Sequence, residues 1–440
     1  MKQNIRFFCL LCFIAILSSS FFSSCGSLSD SDRMTLNIVD DPNGSGKTCE
    51  IYDFNGEEIT KLVIPRKARG YKIIGIGTGA FSGCNNLTNV KLPRGILYIG
   101  ASGFAGCESL ENIELPDSLT EIHNYAFSNC RSLTQIHFPD SITLIDHAAF
   151  QGCSSLSEID LPDSLAAIGE GAFEECTSLK NVVIPDSIFN IGNRSFKNCT
   201  SLKSVTFGKG LEIVGSASFS GCTALEHVNF PEDITIDMSA GRFGVEVGDY
   251  AFSDCVSLKS ITITNGVSSV SNFAFQNCTA LTDVTLGNDL CTVGPGLFYG
   301  CTALESIVLP DKIYDVTSTM FYGCTSLKNV DLGDGVNINI IGAAAFFGCT
   351  SLESIALPEY VQYIDREAFQ NCTALTKITI PADIYMIDQK AFFGCSSLTS
   401  IHYGGTMKQW NSIRLGDDWD SGTANYTVYC TDGTLTKQNP

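Results

Sequence analysis

IGASGFAGCESLENIELP, residues 99–116, is one turn of a pattern that runs through most of the chain. Phe104, Cys107, Leu110, Ile113, Leu115 and Pro116 stand at fixed offsets, and the apolar pair Leu119 and Ile122 leads into the next copy. The cysteine marks the period: residues 84, 107, 130, 153, 176, 199 and 222 are 23 apart, and the series resumes at 255, 278, 301, 324, 349, 372 and 395. A fixed period in the twenties, with leucine and isoleucine at fixed offsets, is the mark of a leucine-rich solenoid. The expected fold is therefore a right-handed leucine-rich repeat solenoid of about fourteen 23-residue units with a parallel sheet on one face.

Within a unit, Leu-x-x-Ile-x-Leu-Pro reads as a short strand, with Leu87, Val90 and Leu92 pointing inward in the first full copy. Proline ends the strand because it has no N–H to give a ladder. The pair typified by Leu119 and Ile122 makes the return side, and Ala-Phe-x-x-Cys turns the corner with phenylalanine filling the end of the core.

A chain of 440 residues would ordinarily suggest two or three domains, but a solenoid grows by adding turns and needs no such division. The formal net charge is −20, and −22 once Lys2 and Arg6 leave with a leader. We read no basic cluster that breaks this trend, so phosphate backbones are repelled and nucleic acid is not expected as a partner. Twenty cysteines raise the question of a disulfide framework. Fourteen of them occupy one offset, and stacked turns stand about 4.8 Å apart, wider than the roughly 3.5–4.5 Å between Cβ atoms of a disulfide. They read as buried, inert thiols. Cys291, at a normally polar position, is the best candidate for an exposed one.

The ends have their own grammar. Met1 to Arg6 is basic, Phe7 to Leu17 is apolar, and Phe22-Ser23-Ser24-Cys25-Gly26 has the form of a lipobox, with Phe22 in place of the usual leucine. This predicts a lipoprotein signal peptide over 1–24, lipid attachment at Cys25 and a tether over 25–34. Residues 35–76 read as a capping hairpin with a half-repeat, 77–403 as the solenoid, and 404–440, with Trp410 and Trp419, as the C-terminal cap. Gly46-Lys47-Thr48 is not a phosphate loop, since Asp41 occupies the position of that motif's first glycine. Two insertions interrupt the period, ten residues near 238–247 and two near 337–339. The first is a candidate binding loop, with Arg242, Phe243 and Glu246.

LSEIDLPDSLAAIGEGAFEEC, residues 156–176, resembles the repeat of the BspA-like, or Treponema-type, leucine-rich proteins. Tyr403-x-Gly-Thr406-x-x-Gln409-Trp410 is similar to the segment that closes such repeats. The resemblance covers roughly residues 46 to 430. It implies a surface or secreted bacterial protein engaged in adhesion, co-aggregation or host signalling, and it brings no catalytic residues.

The outward positions of the front strand form the candidate binding surface. Lys91, Glu114, His137 and Asp160 make one column, and Asn112, Gln135 and Glu158 its neighbour. His137 with Glu114, Glu158 and Asp160 is the one place for acid–base chemistry, but a repeat brings any two columns together without an active site. No zinc spacing, cofactor motif or nucleophile elbow occurs. We therefore expect a non-enzymatic, monomeric cell-surface or outer-membrane lipoprotein with no cofactor or metal. Its partner would be a host matrix protein or a component of a neighbouring cell, and it would touch the membrane through its lipid alone. The alternatives are an envelope lipoprotein that captures a glycan or peptide through the loop and the Trp410–Trp419 tail, a periplasmic scaffold and, last, a hydrolase using His137.

Overall fold

The computed structural model describes residues 30–437 apart from 43, 45, 57, 233, 235–243 and 334–337. The described chain winds through about sixteen turns of about 23 residues. Each turn lays down a front strand of three or four residues, such as Gln135–His137, and a return strand, usually of two, such as Leu144–Ile145. Successive copies pair in parallel, so the return side is itself a hydrogen-bonded sheet alongside the front one. Proline or glycine stands two residues past most front strands, as Pro139 does, and glycine directly follows many return strands, as Gly100 and Gly192 do.

Between the sheets lies one continuous core from Met34 to Val428. Phenylalanines fill its corner as a stacked column. Phe173, Phe196 and Phe219 are fully buried with neighbouring ring centroids 5.3 Å apart. The corner cysteines are equally buried, and each thiol from Cys107 to Cys395 donates to the carbonyl of a phenylalanine one turn earlier, at 3.0–3.4 Å. None is in a disulfide among the described residues. The serines of the Pro-Asp-Ser turns are structural as well. Ser118, Ser141, Ser164 and Ser187 donate to Ile96 O, Leu119 O, Ile142 O and Leu165 O at 2.5–2.8 Å.

The residue before each corner cysteine is left-handed in all fourteen turns, with φ between +57° and +75°. Glycine, asparagine or aspartate holds the position in every turn but one, where Glu175 stands. Only short polar side chains or none accept this conformation without penalty. Replacing Asn198 with valine should therefore cost about 1–2 kcal/mol, whereas Asn198→Gly should stay within about 0.5 kcal/mol of the parent. Urea denaturation of the two variants checks this.

Both ends differ in detail from the sequence reading. The hairpin of Met34–Asp40 with Lys47–Phe54 is antiparallel, but Lys47–Phe54 also pairs in parallel with Tyr71–Ile76. Its second strand is thus the first turn of the return sheet, and Met34–Asp40 covers that edge. At the other end the ladder does not stop at residue 403. Arg414–Leu415 extends the return sheet and Thr427–Cys430 the front sheet before Gly433–Thr436 closes it as a hairpin. The ladder needs only backbone groups, so it runs on after the cysteine pattern ends, with Trp410 and Trp419 packed into the core of the last turn. Lys437 Nζ fastens that turn by donating to Asp420 Oδ2 at 2.7 Å, an oxygen that also accepts from the Tyr426 hydroxyl.

The first insertion also moves. Val245–Val247 is a return strand, with Glu246 opposite Ile213 and Val247 opposite Val214. The extra residues therefore lie between Pro231 and Gly244, and Glu246 belongs to the regular ladder, not to a loop. Arg242, Phe243 and Cys25 lie outside the described residues.

Candidate functional site

Most front strands bury their central residue, Ile159 and Val330 being half-buried, and turn its two neighbours outward, because successive side chains alternate across a strand. In Gln135–His137 the buried residue is Ile136, which leaves Gln135 and His137 exposed. The same alternation exposes Lys91, Asn112, Glu114, Glu158 and Asp160.

The ladder draws these seven residues into two groups. Lys91 stands opposite Glu114, and Lys91 Nζ lies 3.3 Å from Glu114 Oε2. Both side chains are about two-thirds exposed, so the pair adds little stability. Gln135 stands opposite Glu158 and His137 opposite Asp160. Strand pairing is interrupted between Asn112–Glu114 and Gln135–His137, so the two groups are not joined by it. His137 and Asp160 do not form an ion pair within 4.0 Å. Among the described residues, no three His, Cys, Asp or Glu side chains are placed to hold a metal ion. The arrangement can offer hydrogen bonds and charge to a large ligand. It does not desolvate a proton-transfer pair.

A shallow depression of about 510 Å³ opens farther along the front sheet, with Val284, Leu286, Val308 and Asp331 in its wall. It lies where pairing is interrupted between Asp283–Leu286 and Ser306–Val308. The aromatic tail expected to help capture a ligand is not available for it: Trp410 is buried and Trp419 packs edge-on against Phe392, 6.0 Å between centroids.

Sequence reading missed the partly exposed aromatics, because it followed the strand columns while these stand at the corner. Tyr299, Tyr322 and Phe347 each follow the core phenylalanine and stack at 4.7 and 4.6 Å with interplanar angles of 3° and 4°. Tyr250 and Phe273, two residues before it, stack at 5.2 Å. Ring faces in such a ladder cover one another and edges point outward, an arrangement poorly suited to stacking on a sugar face. The signal was present as aromatic residues at one offset in consecutive units.

The thiols are not a reactive site. Burial pushes Cys153 and Cys222 up to about 12 and holds Cys176, Cys199 and Cys255 well above the ordinary thiol range. Only Cys291 and Cys430 are partly exposed among the described cysteines. A thiol reagent added to the native protein at neutral pH should modify these two within minutes and the fourteen corner thiols only on unfolding. Mass spectrometry of the labelled protein reads the difference.

Charge is less evenly spread than first read. Residues 59–107 contain seven lysines and arginines and no aspartate or glutamate. That segment carries +7, so the remainder carries −27 against the total of −20. Contrary to the expectation from the overall composition, a basic segment does break the acidic trend. The average over the whole chain concealed the cluster, which the fold sets beside the acidic segment 30–58 at the N-terminal end.

A family model described as "BspA type Leucine rich repeat region" matches residues 47–154, 120–240, 245–339 and 335–414. None of the curated proteins matches the sequence. Among solved structures, a leucine-rich repeat protein from Bacteroides ovatus is 28% identical, with 90% of this chain and 98% of that one covered and a TM-score of 0.66. The leucine-rich repeat protein of Treponema pallidum is 29% identical over 52% of this chain and 90% of its own, with a TM-score of 0.39. The pneumococcal vaccine antigen PcpA is 17% identical, covers 90% and 98% of the two chains, and has a TM-score of 0.51.

Proposed function

This chain belongs to the BspA-type leucine-rich repeat family, and on that premise we propose that it is an exported, lipid-anchored, non-enzymatic surface protein that binds protein partners through its front sheet. The observation that carries the reading is the row of exposed polar residues on the front face, with Lys91 registered against Glu114, and Gln135 and His137 against Glu158 and Asp160. A rigid, extended polar face recognises a macromolecule by many shallow contacts. The leader with Cys25 in a lipobox-like setting supports export and anchoring. The partner is a matrix protein of a host or a surface component of a neighbouring cell. The protein acts as a monomer, a reading supported by the hairpin strands that cover the first edge of the return sheet and the last edge of the front sheet.

Protease treatment of intact cells tests the placement. Removal of the solenoid, together with a lipid mass on Cys25, is the expected result. Protection until the envelope is broken would make it a periplasmic scaffold. For the site, Glu114→Ala, His137→Ala and Asp160→Ala combined should abolish cell attachment to immobilised matrix proteins while leaving the circular dichroism spectrum unchanged. Undiminished attachment would move the site off the front sheet, with the corner aromatics next in line.

A further inference from the structure

We propose that a basic turn at the N-terminal end docks the solenoid onto an anionic lipid surface, so that the acidic body stands away from the membrane. The turn is built from Arg66, Lys67, Arg69 and Lys72, between the first front strand, Lys61–Val63, and the return strand Tyr71–Ile76. Lys67–Ala68 folds back antiparallel on that strand and sets Lys67 directly opposite Lys72. Lys72 reaches over the next turn. A Cβ placed on Gly95 would lie 3.2 Å from Lys72 Cε and 3.8 Å from Nζ, which brings the ammonium beside the backbone that follows Arg94.

All these cations are exposed. Arg66, Lys67, Lys72 and Arg94 make no ion pair within 4.0 Å among the described residues. Like charges placed opposite each other across a strand pair destabilise it. Residues 59–107 contain no aspartate or glutamate, and the acids of the adjoining segment 30–58, Glu50 among them, form no ion pair within 4.0 Å with these four side chains among the described residues. An external array of phosphates compensates the cluster.

The location selects the kind of anion. The turn lies at the end of the solenoid where the described chain enters, and Met34 is nine residues after Cys25. Nine residues span at most about 30 Å, so an anchor at Cys25 keeps the turn close to the bilayer. That clause rests on the lipoprotein reading above. A lipid chain combined with a polybasic patch makes a stable attachment where one signal is marginal. A flat anionic surface meets the turn of Arg66, Lys67, Lys72 and Arg94 locally, whereas a long polyanion lying along the molecule would meet the strongly acidic remainder.

The test uses the chain from Gly26 to Pro440, which keeps the whole core from Met34 to Val428 and carries no lipid. Sedimentation is measured with phosphatidylcholine vesicles with and without about 30 mol % phosphatidylglycerol, over a salt series. Binding to the anionic vesicles that weakens as salt rises is expected, with none to the neutral ones. Arg66→Glu, Lys67→Glu, Lys72→Glu and Arg94→Glu combined should weaken it at least about tenfold. Lys180→Glu with Lys203→Glu, remote from the turn, should not, and circular dichroism confirms that both variants fold. Equal binding to both vesicle types, or a fourfold variant that binds like the parent, overturns the proposal. So does sedimentation without vesicles that the fourfold variant abolishes, which would make the occupant a second copy of the acidic body. Because no lipid is present, the outcome is independent of whether Cys25 is modified in cells.

Discussion

Raising the pH from 8.5 to 9.5 removes most of the stability of the solenoid. Eleven consecutive corner cysteines, Cys130 to Cys372, are held above the ordinary thiol range, chiefly because burial disfavours the thiolate. In the unfolded chain each ionises near pH 8.5. The folded pKa is the higher one, so the stability these groups contribute is fully present below about pH 8.5 and is lost as the pH climbs toward the folded values. Between pH 8.5 and 9.5 the loss is about 1 kcal/mol for each thiol, because the unfolded thiol passes from half to nearly fully ionised, or about 11 kcal/mol for eleven. Whole domains are stable by only about 5–15 kcal/mol. Urea unfolding in the presence of a reductant, followed by circular dichroism at pH 7.5, 8.5 and 9.5, should show the midpoint collapsing in the last step. Tyrosine and lysine ionise mainly above that window, so the effect isolates the thiols. A midpoint that is the same at pH 7.5 and 9.5 would falsify the buried column.

Phe219→Ala should split the molecule into two independently unfolding halves. The Phe219 ring is fully buried, 5.3 Å from Phe196 and 5.4 Å from Phe252 with interplanar angles of 7° and 4°, and Phe207 meets it edge-on at 5.8 Å. Truncation leaves a cavity and should cost about 3–5 kcal/mol, to which each lost ring pair adds about 0.5–1.5 kcal/mol. Turns of a solenoid contact only their neighbours, so stability is close to a sum of nearest-neighbour terms. A deficit at one interface therefore decouples what lies on either side of it. One urea transition should become two, whereas Phe219→Leu, closer in volume, should keep a single transition with a slightly lower midpoint. A single unshifted transition for Phe219→Ala would mean that the phenylalanine column does not couple the turns.

Much of the fold was legible because repetition multiplies a weak signal. One Leu-x-x-Ile-x-Leu is ambiguous, but fourteen copies at a period of 23 fix the strand, the return side and the corner together. The cysteines were readable as thiols for the same reason, since a column at turn spacing is too wide for disulfides. Boundaries were harder. The end of the cysteine pattern at Cys395 looked like the end of the solenoid, although Arg414–Leu415 and Thr427–Cys430 still add to the two sheets.

The site was legible only as a list of outward positions. Alternation along the strand gives exposure for Glu114 and His137 alike, and the sequence offers no sign that pairing is interrupted between them. Trp410 and Trp419 looked like surface aromatics because no repeat frames them, and the last turn buries one and packs the other.

By itself, then, the sequence determined the architecture, the burial of phenylalanine and cysteine, and the outward columns, because each is a periodic property carried by residue type and offset. Tertiary structure decided which turns pair and which part, that Glu246 is strand and the tryptophans are core, and that Lys67, Lys72 and Arg94 meet at one end. Those outcomes depend on backbone register and on contacts between turns, which the hydrophobic pattern of a single turn does not encode.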